Sequence, residues 1–202
     1  SLKQIVSVIK VKYVFFFSII SAAALFLFFA TAFSFTPLIA EKLFAANKAQ
    51  LSILSSIALF CSFASSIVVS YIPYHANSRL ICWVSCAIMA VSTALIPFSP
   101  SMMFLYTMQG INGFFTNFLN VYLNVLLLKY VSPRQLTAAT GFFQTIYSLG
   151  IAFGPIITGM IQTATNNYGV TYLLISSMAV VSMVAFWLHY HPDKFKHLEY
   201  QG

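Results

Sequence analysis

The sequence predicts an all-α membrane protein with six transmembrane helices, and two observations carry that prediction. Of the 202 residues, 60% are hydrophobic and only 6% are charged, against roughly 25% charged in an ordinary soluble domain. The apolar residues gather in six runs, each near the roughly 20 residues that a helix needs to cross about 30 Å of hydrocarbon. The runs are continuous and too long for barrel strands, so the spans are helical. Thirteen charged side chains cannot give a chain of this size a water-facing surface, which excludes a soluble enzyme and a disordered regulator. Three cysteines placed in apolar runs make no disulfide framework.

Three lysines, Lys3, Lys10 and Lys12, precede the first span, Tyr13–Thr36. This span is rich in phenylalanine, and Phe26, Phe29, Phe33 and Phe35 face either lipid or an aromatic solute. Asn47 breaks the chain before the second span, Leu51–Ile72. Pro73, His75, Asn77 and Arg79 form the next loop, followed by the third span, Leu80–Pro97. Cys82 and Cys86 lie one helical turn apart there as small packing residues, and Trp83 reads as an interface anchor. Pro97-Phe98-Ser99-Pro100 separates it from the fourth span, Met102–Leu128. Lys129, Ser132-Pro133 and Arg134 lead into the fifth span, Ala139–Ile161. Asn166-Asn167 precedes the sixth, Val170–Tyr190, which closes on Trp187 and Tyr190.

Eight of the ten Lys and Arg residues fall in loops on one side and two, Lys42 and Lys48, on the other, alternating loop by loop. The positive-inside rule makes the first side cytoplasmic. Both termini are therefore expected in the cytoplasm: a basic segment over 1–12, a membrane domain over 13–190 and a tail over 191–202. The excess of +7 belongs to this pattern, and no nucleic-acid partner is expected. No Asp, Glu, Lys or Arg lies inside a span, so the spans offer no charged relay.

The fourth span is unlike the others. Tyr106, Gln109, Asn112, Thr116, Asn117, Asn120 and Asn124 interrupt an apolar helix, and at about 100° per residue they share an arc of roughly 140°. Phe104, Ile111, Phe114, Phe115, Phe118 and Val125 take the other side. Carboxamides in hydrocarbon need partners, so the stripe faces either neighbouring helices or a polar cavity. Five of them on one arc exceed what interhelical bonding needs, which favours a cavity-lining helix. The fifth span carries Gly141, Gly150, Gly154, Pro155 and Gly159. Gly150 and Gly154 form a small-xxx-small pair for close packing, and Pro155 removes a helical hydrogen bond and bends the helix.

This glycine pattern resembles the antiporter motif of the major facilitator superfamily, with Thr158-Gly159 where that motif ends in Gly-Gly. Tyr106-Thr107-Met108-Gln109-Gly110-Ile111-Asn112-Gly113 is similar to the superfamily's Arg-x-x-Gln-Gly-x-Gly segment, with Tyr in place of Arg. Ser132-Pro133-Arg134 leading into Ala139-Thr140-Gly141 and Gln144 resembles its loop into the eleventh helix. The loop Pro73–Arg79 occupies the place of its Asp-Arg-x-Gly-Arg-Arg motif, of which Arg79 alone is present. The resemblance implies a twelve-span fold of two halves, each made of two inverted three-helix repeats, of which this chain is one half. The missing motif Arg and the eroded loop point to the C-terminal half, with Ser1–Lys12 ending the central linker. Ser1 is not a start methionine, so the chain reads as a processed product or a fragment.

The implied function is transport by alternating access, with the first and fourth spans lining a central cavity. A neutral cavity suits a small neutral or amphipathic solute, and the antiporter-like motif favours secondary active efflux. The expected solute contacts are Tyr106, Gln109, Asn112, Asn117, Asn120, Asn124, Gln144 and Tyr147, with Gly141, Gly150, Gly154, Pro155 and Gly159 shaping the packing and its movement. The expected partners are the solute, the bilayer of the cell membrane, and an N-terminal six-helix half or a second copy. A membrane assembly or regulatory subunit without transport is the alternative. An intramembrane serine protease would need a nucleophile at a Gly-x-Ser-Gly turn, and Gly110-Ile111-Asn112-Gly113 has Asn in that place, so no enzyme is expected. His189, His191, His197 and Asp193 fit no compact metal-ligand spacing; no metal and no cofactor are expected.

Overall fold

The computed structural model describes Val8, residues 11–73 and residues 76–190. The basic segment expected over 1–12, apart from Val8, Val11 and Lys12, lies outside these residues, as does the tail over 191–202; Lys3, Lys10, His75, His191, Asp193, Lys194, Lys196 and His197 go with them. The described chain forms six long apolar helices: α1 (Lys12–Phe44), α2 (Lys48–Ser70), α3 (Ser78–Phe98), α4 (Met102–Leu128), α5 (Pro133–Thr165) and α6 (Tyr168–His189). No strand occurs among the described residues.

The polar residues that break the sequence between spans serve as helix caps. Asn47 accepts from the Gln50 amide at 2.9 Å while the Gln50 side chain accepts from the Asn47 amide, a reciprocal box that starts α2. Asn77, Ser101 and Asn167 cap α3, α4 and α6, and Ser132 with Gln135 forms the same kind of box ahead of α5. Ala45 and Asn166 end α1 and α5 in the left-handed conformation, each at φ 49°.

The first span differs from the sequence reading. Expected to stop at Thr36, it continues to Phe44 through a π-helical stretch, Phe29–Phe35, and a final α-helical segment, Thr36–Phe44. Pro37 is the physical reason. A proline ring collides with the carbonyl four residues earlier and offers no N–H; the wider π turns move that carbonyl aside. Thr31 donates to the Leu27 carbonyl at 2.8 Å and Ser34 to the Phe29 carbonyl at 3.3 Å within this stretch. α5 is also longer than the expected Ala139–Ile161, and it carries Pro155 without interruption.

The helices pair as α1 with α5, α2 with α4 and α3 with α6, and further as α3 with α4 and α1 with α4. α1 is the most enclosed span, while α2 and α5 are the least. Two of the pairings are very close. A Cβ on Gly150 would lie 2.1 Å from the Ala22 carbonyl oxygen and one on Gly154 2.6 Å from that of Phe26, so α5 meets α1 backbone to backbone. Gly113 of α4 meets the Ala58 carbonyl of α2 in the same way, with a Cβ distance of 2.5 Å.

Aromatic side chains tie the helices at the end that carries Lys12, Arg79 and Lys129. Tyr13 packs against Tyr130 and Tyr190 at ring separations of 4.9 and 5.7 Å, and the Tyr130 and Tyr190 hydroxyls lie 3.1 Å apart. Arg79, in the first turn of α3, donates to the Trp187 carbonyl in the last turn of α6. Its guanidinium lies 4.2 Å from the Trp187 ring, with Trp83 6.5 Å beyond. A cation there complements the negative end of the α6 dipole. At the opposite end Thr36 and Tyr172 join α1 to α6 at 3.0 Å, and Thr171 donates to Gln162 of α5 at 2.8 Å.

Candidate functional site

Ser101 caps the start of α4, and the polar arc of this helix bonds to three other helices. Asn112 is 1% exposed; it donates to the Thr93 hydroxyl of α3 at 2.7 Å and accepts from Thr116 at 3.2 Å. Asn117 reaches α2, where its amide lies 2.7 Å from the Ser62 carbonyl, 2.9 Å from the Ser65 hydroxyl and 2.8 Å from that of Ser66. Asn120 accepts from Ser21 of α1. Tyr106 donates to the Gln50 carbonyl at 3.4 Å. One carboxamide thus goes to each of the helices around α4, and the hydrogen bonds join spans that would otherwise share only apolar contacts.

Two carboxamides have unused capacity. Gln109 is completely buried, and neither its Oε1 nor its Nε2 has a partner. Asn124 is half-buried, and its Oδ1 is enclosed without a donor. A buried amide left unpaired costs about 1–3 kcal/mol.

The fifth helix divides the glycine-rich run between two faces. Gly150 and Gly154 are buried against α1, while Gly141 is exposed and Gly159 half-exposed. Gly141 lies on the same side as Thr137, Gln144, Thr145, Ser148 and Ala152, all exposed, within roughly 100° of arc. Tyr147 is half-buried and stands edge-on to Phe143 at 5.5 Å. Gln144 is on the exposed face of α5, and Tyr147 packs partly buried against the core. The outward side of α3 and α6 contrasts with that face, since Leu80, Val84, Val91, Leu173, Val181 and Leu188 are exposed there. Aliphatic side chains suit lipid, whereas an exposed Gln, Thr and Ser stripe does not.

The hydroxyl partners on α2 and α3 are functional groups that the sequence reading passed over. Ser62, Ser65 and Ser66 repeat at helical spacing on one face of α2, a signal that could have matched Asn117 to that helix. Thr93 follows Ser92 and lies two turns from Ser85 in its span, with no pattern that singled it out as the partner of Asn112.

Six long apolar helices, backbone-close helix pairs and an exposed polar helix face describe a polytopic membrane protein, and comparison with known families agrees. No curated protein matches the chain. The family model described as Major Facilitator Superfamily matches residues 14–199, nearly the whole sequence, and the chain belongs to that superfamily of membrane transporters.

Proposed function

We propose that this chain forms the C-terminal half of a carrier that moves a small neutral or amphipathic solute by alternating access, as secondary active efflux from the cell. The single observation that carries the reading is the exposed polar stripe of α5, Thr137 through Ala152, on a helix otherwise suited to lipid. Thr145 and Ser148 bond back to the Gly141 and Gln144 carbonyls of their own helix, and the exposed Gln144 carboxamide between them favours a polar cavity or another helical bundle against the stripe. An N-terminal six-helix half, or a second copy, supplies that bundle. The helix partnerships support the repeat reading: exchanging α1–α3 with α4–α6 turns the α1–α5 pair into α4–α2 and leaves α3–α6 unchanged.

In this reading Gln144 and Tyr147 on α5, with Tyr106, Gln109 and Asn124 on α4, are the groups that a solute meets. Asn112, Asn117 and Asn120 act on it through the helices they hold in place. Gly150 and Gly154 keep α5 against α1, Gly159 lies beside the Phe35 ring of α1, and Gly141 and Pro155 give the facing bundle a surface without long side chains. The protein lies in the cell membrane with Lys12, Arg79, Lys129 and Arg134 on the cytoplasmic side.

The test is release of a neutral fluorescent dye from preloaded cells that express the assembled protein. Changing Gln144 and Tyr147 together to Leu and Phe is expected to slow release at least fivefold without lowering membrane abundance. An unchanged rate overturns the assignment of this face to the transport path.

A further inference from the structure

Arg79 holds a charge that nothing among the described residues neutralises. Its guanidinium lies 4.2 Å from the Trp187 ring, and Nη2 donates to the Trp187 carbonyl. Nε is enclosed and has no acceptor. Nη1 is then the nitrogen of the group that is neither bonded nor enclosed. Ring and carbonyl together fix the planar fork, so Nη1 is held in place rather than swinging on a flexible stem.

The charges around it decide what Nη1 can hold. Glu41 is the one carboxylate among the described residues, and it lies near the end of α1 on the opposite side of the bundle. Lys12, Lys129 and Arg134 share the end with Arg79 and add to its potential. The helix dipoles offset each other, with roughly half a positive charge at the start of α3 against half a negative one at the end of α6. The guanidinium is thus a half-buried cation without a counter-ion. A cation partly removed from water gains more from an anion than one in open solvent.

The surroundings select the anion. Leu80 and Leu188, each next in sequence to a member of the clasp, are exposed, and Val84, Val181 and Val184 continue that aliphatic surface along α3 and α6. Trp83 and Trp187 stand 6.5 Å apart beside the guanidinium, and indoles settle at the level of lipid headgroups. A soluble anion would use the cation alone, whereas a phospholipid uses the cation and the aliphatic surface together. We propose that the clasp binds one anionic phospholipid, whose phosphate accepts from Arg79 Nη1 and whose acyl chains lie along α3 and α6. Basic pockets between spans at the cytoplasmic side suit such headgroups. The site stands on the outer side of the bundle and does not depend on which solute is carried.

The test is native mass spectrometry of the assembled protein, stripped of lipid in detergent and offered phosphatidylglycerol and phosphatidylcholine in equal amounts. Arg79→Gln should lower the binding of phosphatidylglycerol relative to phosphatidylcholine about fivefold, the gain that one basic residue gives at an anionic surface. Trp187→Leu keeps the charge and removes the ring that holds it, and it should lower the preference as well. Arg134→Gln removes an equal charge from the same end and should leave the preference unchanged. Comparison with the unaltered protein separates this site from other lipids that the assembly binds. If Arg79→Gln folds poorly, Trp187→Leu and Arg134→Gln carry the comparison. A preference that survives either clasp substitution in a folded variant, or that Arg134→Gln lowers equally, overturns the proposal. Displacement of the lipid by excess glycerol 3-phosphate would assign the site to a free phosphate and overturns it too.

Discussion

A methyl group at Gly150 would sit 2.1 Å from a backbone oxygen of α1, whereas one at Gly141 would meet nothing within 4 Å. The two glycines share a motif and differ only in which way the helix turns them. Gly150→Ala is expected to force α1 and α5 apart and to destabilise the protein by about 2 kcal/mol or more, as overpacking does. Gly141→Ala should be neutral or should stabilise α5 by up to about 1 kcal/mol, because alanine is the better helix former. Thermal unfolding in detergent compares the two, and equal losses would mean that the α1–α5 contact is not the reason for Gly150. At the same scale, the sequence displays the carboxamides of α4 on one arc without showing their partners. Thr93 and the three serines of α2 that receive Asn112 and Asn117 lie 19 and more than 50 residues away in the chain. Only the packed bundle brings them together.

The starts of α2, α3, α4 and α6 were the most legible helix ends, because a cap is a local signal, whereas the end of α1 and both ends of α5 were not. Asn47, Ser101 and Asn167 are short polar side chains placed where orphan amides need acceptors, and α4 runs over the expected Met102–Leu128. Pro37 was not legible as an interior residue. Proline normally marks a stop, and nothing nearby in sequence announces that wider turns will absorb it. One cap remains imperfect. Ala45 closes α1 at φ 49° with a Cβ that the left-handed conformation disfavours by about 1–2 kcal/mol. Ala45→Gly should therefore raise stability by about 1 kcal/mol. Chemical denaturation in mixed micelles reads this directly, and a loss of stability would show that the Ala45 methyl has a packing role of its own.

At the scale of the molecule, the alternation of charge predicts how the bundle sits in the membrane. A cysteine at Ser132, in a variant freed of the natural thiols, should react with a membrane-impermeant maleimide only after the cytoplasmic side is opened. One at Ala46 should react from outside in intact cells. The reverse pattern would overturn the orientation. Fold class and span number were legible because six apolar runs permit little else; the partners of the α4 carboxamides were not, since packing alone brings together residues so far apart in the chain. The Arg79 clasp has a spectroscopic consequence. Trp83 and Trp187 are the two tryptophans of the chain, and they stand 6.5 Å apart at one membrane surface, with a guanidinium over Trp187. Intrinsic emission therefore reports a single shallow location. Lipids with a quencher near the headgroup should dim it far more than lipids quenched at the acyl terminus.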